Sequence, residues 1–245
     1  MQPTIFVHLL PTCVEASELA GTTAVVIDVL RATTTITTAL AAGASAIIPC
    51  LEVDIARDRA QQCASPVLLG GERGGKKIAG FDLGNSPSEY LAAKVKSRTI
   101  LFTTTNGTRA MDHCQQATRV LIASFINISA VTKQIPSTAQ VHLVCAGTDG
   151  QVSLEDLLLA GAIAGSLRQR ETAAVLGNDS AHIAHAAWQH AQQESRRISL
   201  ETIVSRGAGA QNLIRVGLGH DISTCVAMDT CTTVPEMDPT TGTIC

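Results

Sequence analysis

Residues 22–35 read Thr-Thr-Ala-Val-Val-Ile-Asp-Val-Leu-Arg-Ala-Thr-Thr-Thr, an apolar run interrupted by Asp28 and followed by an arginine and three threonines. The largely β-branched run Thr23–Val29 predicts a strand that is buried on both faces. The Thr- and Ala-rich segment Thr34–Ala44, which includes Gly43, predicts a helix directly after it. A buried strand followed at once by a helix is typical of a parallel α/β sheet.

The same alternation continues along the chain. Further strands are predicted at Ala46–Ile48, Pro66–Leu69, Thr99–Thr103, Val120–Ala123 and Val141–Cys145. Further helices are predicted at Glu52–Ala64, Arg109–Ala117, Ser129–Gln134, Leu154–Arg168 and Ala181–Glu194. We therefore expect an α/β fold: a single three-layer αβα domain over residues 1–245, around a mainly parallel sheet that could be mixed. Residues 232–245 are polar, contain two prolines and are expected to form an irregular tail.

Composition excludes several classes of protein. The 245 residues are 45% hydrophobic and 16% charged, which is too apolar for a disordered chain. A net charge of −3 and only 2% aromatic residues argue against nucleic acid as a partner. No apolar run is long enough to span a bilayer, so no membrane association is expected. The N-terminus lacks the pattern of a signal peptide, which favours the cytoplasm and eight reduced cysteines.

Four polar segments fall where predicted strands end, which is where open α/β sheets bind ligands. They are Asp28–Thr35, Gly70–Lys77, Asp82–Pro87 and Thr103–Arg109. Each has a plain structural explanation as well: an Asp–Arg pair with an ordinary helix cap, a surface turn, a helix start, and an Asn-Gly turn. Their occurrence together in an otherwise apolar chain favours an anion-binding site.

The glycine-rich segment Gly70–Lys77 nearly matches the phosphate-binding loop G-x-x-x-x-G-K-[ST]. Lys77 stands where a metal-binding hydroxyl is required, and Glu72 would repel phosphates unless a metal intervened. We therefore reject nucleotide binding of this type. A loop that brings Glu72 and Arg73 to a site and a plain surface turn both stay open.

Two serines are placed as if to cap helices. Ser86-Pro87-Ser88-Glu89 and Ser153-Leu154-Glu155-Asp156 each have the outline of a capping box. Helix-dipole stabilisation alone would explain the carboxylates of the second segment.

Taken together and in this order, the segments 28–35, 70–73, 80–87 and 104–109 resemble the 2-phosphosulfolactate phosphatase family. The segments 145–148 and 153–156 and Asn127 extend the resemblance, which runs from about Val25 to Pro235. It implies a three-layer αβα fold and a magnesium-dependent acid phosphatase. The implied reaction releases phosphate from 2-phosphosulfolactate, a step in coenzyme M biosynthesis.

The residues of these segments suit a substrate that carries a phosphate, a carboxylate and a sulfonate. Arg31, Arg73 and Arg109 are the three arginines available for three anionic groups. Further substrate contacts are expected from five side chains: Thr33, Thr34, Asn85, Ser86 and Thr108.

The expected Mg²⁺ ligands are Asp28, Glu72 and Asp156, with Asp82 and Glu155 in reserve. Asp28 is also a candidate phosphoryl-accepting nucleophile, and Thr105 and Asn106 complete the expected catalytic set. Whether Asp28 is ligand or nucleophile stays open, with the ligand role preferred.

Other functions remain open on the sequence alone. A phosphatase of the same family could act on another phosphorylated 2-hydroxy acid. A non-catalytic anion-binding module would keep the arginines without magnesium, and a nucleotide-using transferase would use the glycine loop differently. The expected partner is a small anionic phosphorylated substrate, and a homodimer is left open.

Overall fold

The computed structural model describes residues 3–137, 140–171 and 173–245. These residues form ten strands: β1 (Thr4–His8), β2 (Thr23–Ile27), β3 (Ala46–Pro49), β4 (Leu68–Arg73), β5 (Lys76–Lys77), β6 (Thr99–Thr103), β7 (Arg119–Ala123), β8 (Gln140–Cys145), β9 (Val175–Leu176) and β10 (Glu236–Met237). Ten α-helices are α1 (Ala32–Ala41), α2 (Val53–Gln62), α3 (Ala92–Val95), α4 (Gly107–His113), α5 (Ile128–Gln134), α6 (Leu154–Arg170), α7 (Asp179–Glu194), α8 (Leu200–Val204), α9 (Ala208–Arg215) and α10 (Asp221–Cys225).

The strands divide between two sheets. The larger has the order β10-β7-β2-β8-β1-β9, and all its pairings are parallel except that of β10 with β7. The smaller has the order β3-β6-β4-β5, and its one antiparallel pairing joins β4 to β5. Three-layer αβα architecture around mainly parallel strands is confirmed, although the sequence pattern did not indicate a second sheet.

Helices cover both faces of the larger sheet. The strand β2 is buried along its whole length, and its alternate residues serve different cores. Val25 and Ile27 pack with α5, α6 and α7, whereas Ala24 and Val26 face α1 and α4 and, beyond them, the smaller sheet. A third, small cluster packs α2 against the other face of the smaller sheet.

The C-terminal segment is irregular over most of its length, but two short stretches of it pair with the sheets. Residues 236–237 form β10, which extends the larger sheet beside β7. Ile244 is fully buried and exchanges backbone hydrogen bonds with Ile47 of β3. The sequence did not indicate these pairings because the apolar residues Met237 and Ile244 are separated by polar turn residues, which hide the strand pattern.

Neither predicted capping box forms. Ser86 and Ser153 precede helical segments, but neither side chain caps the backbone. The Ser86 hydroxyl bonds to Asp221 instead, and the Ser153 hydroxyl pairs with Thr148. The segment after Ser86 is the single 3-10 turn Pro87–Glu89, where the capping-box pattern predicted the start of a helix.

All eight cysteines are free thiols, and four of them are buried. Cys13, Cys63 and Cys245 are exposed, and Cys231 is half-buried. Within the described ranges, no helix combines the length and apolar character needed to cross a bilayer.

Candidate active site

A polar cleft lies at the carboxyl ends of the strands, where β2, β4, β6 and β8 deliver their following residues. Helix α9 packs over it from the C-terminal third of the chain. The lining residues are Asp28, Leu30, Arg31, Glu72, Gly74, Gly75, Asn85, Thr104, Thr105, Asn106, Thr148, Asp149, Gly209, Asn212 and Leu213. Three of the four polar segments contribute several of these residues, and Asp82–Pro87 contributes Asn85.

Asp28 stands at the centre of this cleft, immediately after β2. Its Oδ1 accepts the backbone N–H of Ala32 at 3.2 Å, and its Oδ2 accepts no hydrogen bond from the described residues. The carboxylate packs directly against Gly107, where an added Cβ would lie 2.6 Å from Oδ2. Gly107 therefore has to be glycine for α4 to begin this close to Asp28.

Glu72 reaches the cleft because β4 and β5 form a tight hairpin. The turn residues Gly74 and Gly75 both have positive φ, as a two-residue hairpin of this type requires. Glu72 accepts the backbone N–H of Gly75 at 2.7 Å and that of Thr105 at 2.8 Å. The glycine-rich segment is thus a hairpin that presents a carboxylate, and its Glu72 is one of the predicted site residues that reach the cleft.

Two further carboxylates lie behind the cleft at the start of α6. Both oxygens of Asp156 accept backbone N–H groups, from Val29 at 2.9 Å and from Gly147 at 3.1 Å. Glu155 is 1% exposed, and its Oε2 has no partner among the described residues. Asp156 therefore connects the loops that follow β2 and β8, whereas Glu155 keeps a free acceptor, Oε2, next to Gly207.

Arg31 is the one basic side chain among the described residues that line the cleft. It is 2% exposed, and its Nη1 lies 2.6 Å from Asp221 Oδ2. Its Nη2 donates to the carbonyl of Gly75 at 2.7 Å. The local alternative, an Arg31–Asp28 ion pair, is not what forms.

The other two predicted arginines lie outside the cleft. Arg73 follows Glu72 in β4, so its side chain points to the opposite face and bonds to Leu51 and Thr103. Arg109 is exposed on α4. The carboxylate held in reserve, Asp82, accepts the backbone N–H of Leu69 and does not line the cleft either.

The predicted threonines are used to build the backbone around the site. The hydroxyls of Thr33, Thr34 and Thr108 donate to the carbonyls of Asp28, Val29 and Thr104 respectively. All three residues are almost completely buried, and none lines the cleft.

Three predicted polar residues do face the cleft: Asn85, Thr105 and Asn106. Asn85 Oδ1 and Thr105 Oγ1 are buried without a partner among the described residues. Buried polar atoms are normally hydrogen-bonded, so unpartnered atoms lining a cleft indicate a ligand that completes them. Asn106 Oδ1 accepts the backbone N–H of Asp149 at 3.3 Å, which links the loops after β6 and β8.

Burial raises the pKa of three carboxyl groups at the cleft, those of Asp28, Glu155 and Asp156. The pKa of Asp28 rises to about 7 because of burial, with Glu72 and Glu155 adding to the increase and Arg31 opposing it. Burial raises the pKa of Glu155 to about 6. The pKa of Asp156 is also raised, by burial first and then by Glu155 and Asp28. This cleft has too little positive charge for its carboxylates, so a bound cation would be stabilised here.

Sequence reasoning missed the contribution of the C-terminal third of the chain. Gly209, Asn212 and Leu213 come from α9, and Asp221 comes from α10. No strand precedes these residues, so the rule that ligands bind beyond strand ends could not find them. Thr148 also lines the cleft, and it belongs to the segment 145–148, which extended the family resemblance.

Comparisons with known proteins identify the family of this chain. Residues 8–240 match the family model described as 2-phosphosulpholactate phosphatase. A relative from Symbiobacterium thermophilum, named "Probable 2-phosphosulfolactate phosphatase", is 45% identical over 90% of this chain and 93% of its own length. Relatives of the same name from Thermotoga maritima and Synechococcus sp. (strain RCC307) are 43% and 42% identical, each over 88% of this chain and over 88% and 89% of their own lengths. The chain therefore belongs to the 2-phosphosulfolactate phosphatase family.

Proposed function

We propose that this chain is a magnesium-dependent phosphatase that hydrolyses 2-phosphosulfolactate to sulfolactate and phosphate, as in coenzyme M biosynthesis. The observation that carries the proposal is the pairing of buried Arg31 with a carboxylate-lined cleft in which Asn85 Oδ1 and Thr105 Oγ1 lack partners. Such a cleft suits a phosphate group that arrives with a cation. The names of the relatives support the substrate.

The donor set fits magnesium. Mg²⁺ prefers hard oxygen ligands and is usually held by one or two carboxylates together with water and substrate phosphate. Asp28 has an oxygen without a hydrogen bond, and Glu72 lines the same cleft. Within the described ranges no group of three His, Cys, Asp or Glu side chains is arranged to hold a metal, which is compatible with a site that water and substrate complete.

The three predicted magnesium ligands, Asp28, Glu72 and Asp156, differ in how many carboxylate lone pairs they have free for a metal. Asp28 would be the main ligand, and Glu72 would use the lone pairs that its two backbone hydrogen bonds leave free. Asp156 is engaged on both oxygens and would position the loops, whereas Glu155 offers Oε2 behind the cleft. When bound, magnesium would stabilise negative charge on the transferring phosphoryl group.

Side chains of the protein itself would bind and orient the substrate. Arg31 would hold phosphate oxygens through N–H groups that Asp221 and Gly75 do not use. Thr105 and Asn106 would orient substrate oxygens from the start of α4, and Asn85 would contact the substrate through its unpartnered Oδ1. Asp28 would assist attack by water as a ligand, or accept the phosphoryl group itself; we prefer the first role.

The test is phosphate release from 2-phosphosulfolactate and from p-nitrophenyl phosphate, with magnesium or with EDTA. We expect turnover of both substrates with magnesium and its loss with EDTA. Binding without turnover would favour an anion-binding module, and turnover that requires added ATP would favour a transferase. Either result would contradict the proposal.

One observation supports a second candidate, a phosphatase of the same family for another phosphorylated 2-hydroxy acid. Only one of the three expected arginines faces the cleft, so the described residues offer the sulfonate no basic side chain of its own. Comparing kcat/KM for 2-phosphosulfolactate and 2-phospholactate separates the candidates. A clear preference for 2-phospholactate would assign the second one.

A further inference from the structure

We propose that Asp221 is a positioning residue that orients Arg31 toward the phosphate group of the substrate. The inference rests on the proposed function because it concerns how that site holds its anion. Asp221 lies at the start of α10, nearly two hundred residues from Arg31 in sequence, and neither its sequence context nor the cleft lining points to it.

The contacts of Asp221 are short and almost completely buried. Oδ2 accepts Arg31 Nη1 at 2.6 Å, and Oδ1 accepts the Ser86 hydroxyl at 2.6 Å. Asp221 is 1% exposed, so both bonds form away from water, where charge-assisted hydrogen bonds are strong and directional. His220 Nε2 lies 3.5 Å from Oδ1 on the exposed side. The carboxylate is thereby held from two sides.

Arg31 is in turn held at two of its nitrogens. Nη1 bonds to Asp221 on α10, and Nη2 bonds to the Gly75 carbonyl in the β4–β5 turn. A guanidinium has five N–H donors in one plane, so fixing two of them fixes the direction of the rest. Those remaining donors have no partner among the described residues, while the Arg31 side chain lines the cleft beside Asp28.

The geometry of the pair indicates orientation as its main effect. Removing two charges from water costs about as much as their attraction returns, so a buried ion pair contributes little net stability. The pair does determine which way a long, otherwise flexible side chain points. A freely rotating guanidinium would be attracted to the carboxylates of Asp28, Glu72 and Glu155. The bond to Asp221 holds it away from them.

This arrangement also gives Ser86 a different role from the predicted one. Its hydroxyl is committed to Asp221, with Ser88 Oγ 2.9 Å away as its second partner. Ser86 therefore supports substrate binding through Asp221 and Arg31 and does not contact the substrate. The chain of contacts from Ser86 to Asp221 to Arg31 joins three elements that are remote in sequence.

The test is a double-mutant cycle that measures the Kd for inorganic phosphate by calorimetry in the presence of magnesium. We expect Asp221→Asn to raise this Kd by about 10-fold or more in the wild-type background. In the Arg31→Met background the same change should have no further effect, because Asp221 acts only through Arg31. Kinetics with p-nitrophenyl phosphate should show the loss mainly in KM.

A matched control breaks another Arg–carboxylate pair. Glu236→Gln removes the partner of Arg119 at the edge of the larger sheet and should leave the phosphate Kd unchanged. The proposal would be overturned if Asp221→Asn lowered the melting temperature but left the phosphate Kd unchanged. It would also be overturned if Asp221→Asn weakened phosphate binding equally in the wild-type and Arg31→Met backgrounds.

A second variant covers the case in which Asp221→Asn does not fold. Ser86→Ala leaves the Arg31–Asp221 pair intact and should raise the Kd by a smaller factor, again only when Arg31 is present. An unchanged phosphate Kd for a folded Ser86→Ala protein would overturn the proposed chain of contacts from Ser86 through Asp221 to Arg31. Phosphate binding that follows this pattern in a protein without turnover would support Asp221 while contradicting the proposed phosphatase.

Discussion

Asp28 combines features that few side chains share: it follows a buried strand, it carries a raised pKa, and one of its oxygens is free toward a cleft. Asp28→Asn keeps the shape but removes the charge. We expect turnover of 2-phosphosulfolactate to fall by about 100-fold or more, because electrostatic stabilisation at the phosphoryl group is lost. The measurement is steady-state phosphate release with saturating magnesium.

Loss of activity alone does not distinguish a ligand from a nucleophile. Acid quenching of the working enzyme on labelled substrate, followed by peptide analysis, makes that distinction. We expect no label on the Asp28 peptide. Labelled phosphate that rises and decays with turnover would assign Asp28 as the nucleophile, and near-normal activity of Asp28→Asn would exclude both roles.

We expect substitution of each of the three arginines by alanine to affect activity and stability differently. Arg73→Ala removes bonds to Leu51 and Thr103 outside the cleft, so we expect kcat/KM close to that of the unsubstituted protein and a stability loss of about 1 kcal/mol. Arg109→Ala, at an exposed position, should change neither property. Arg31→Ala should remove activity and also destabilise the fold by about 3–5 kcal/mol, because it leaves Asp221 buried and unpaired.

Activity and urea unfolding measured on the same preparations test these expectations. Equal activity losses for all three variants would restore the sequence-based interpretation in which each arginine holds one anionic group.

These arginines also show that a sequence motif does not specify which way each side chain points. Glu72 and Arg73 are adjacent in a matching segment, yet strand alternation sends one side chain into the cleft and the other away from it.

At the scale of elements, prediction from sequence worked where the hydrophobic period was strong. The strand Thr99–Thr103 has the predicted bounds, and Thr23–Ile27 differs from the prediction by two residues at one end. The strand β1 was missed because Thr4–His8 mixes polar and apolar residues beside the N-terminus. Its neighbour in space, β8, lies more than a hundred residues later, and no local pattern reports such a pairing.

The pairing of β1 with β8 places two histidines in contact. His8 Nε2 lies 3.0 Å from His142 Nδ1, the rings stack, and both residues are buried. Burial, followed by the charge of His8, lowers the pKa of His142 to about 4. Above pH 6.5 the folded and unfolded chains both hold His142 neutral. Between pH 6.5 and about 4, the unfolded chain takes up the proton while His142 stays mostly neutral in the folded chain.

The free energy of unfolding should therefore fall as the pH falls from 6.5 toward 4. At pH 4.5 the loss due to His142 should be roughly 2–3 kcal/mol, at 1.36 kcal/mol for each unit of pKa. His142→Gln should lose that much less stability between pH 7 and pH 4.5 in urea unfolding. His190→Gln, at an exposed position on α7, is the matched control. Identical pH dependence in all three proteins would contradict the expectation.

At the scale of the whole molecule, the last ten residues connect the two sheets. β10 pairs with β7 in the larger sheet, while Ile244 exchanges backbone hydrogen bonds with Ile47 of the smaller one, at 2.9 and 2.8 Å. Met237 and Ile244 also bridge each other. The fold class followed from composition and periodicity, but this connection did not, because it depends on two isolated apolar residues whose partners are far apart in sequence.

Ile244 is fully buried between the sheets, so shortening its side chain tests whether the connection contributes to stability. Ile244→Ala should lower the free energy of unfolding by about 2–5 kcal/mol, because it removes buried methyl groups and leaves a cavity. The matched control is Ile183→Ala on α7, where the side chain is 55% exposed and a change within about 0.5 kcal/mol is expected. Guanidinium unfolding followed by far-UV circular dichroism measures both variants. An Ile244→Ala protein as stable as the control would show that the C-terminal segment lies on the sheets without stabilising them. A large loss would show that residues expected to form a tail are needed to keep the two sheets, and the cleft that both supply with carboxylates, in one folded unit.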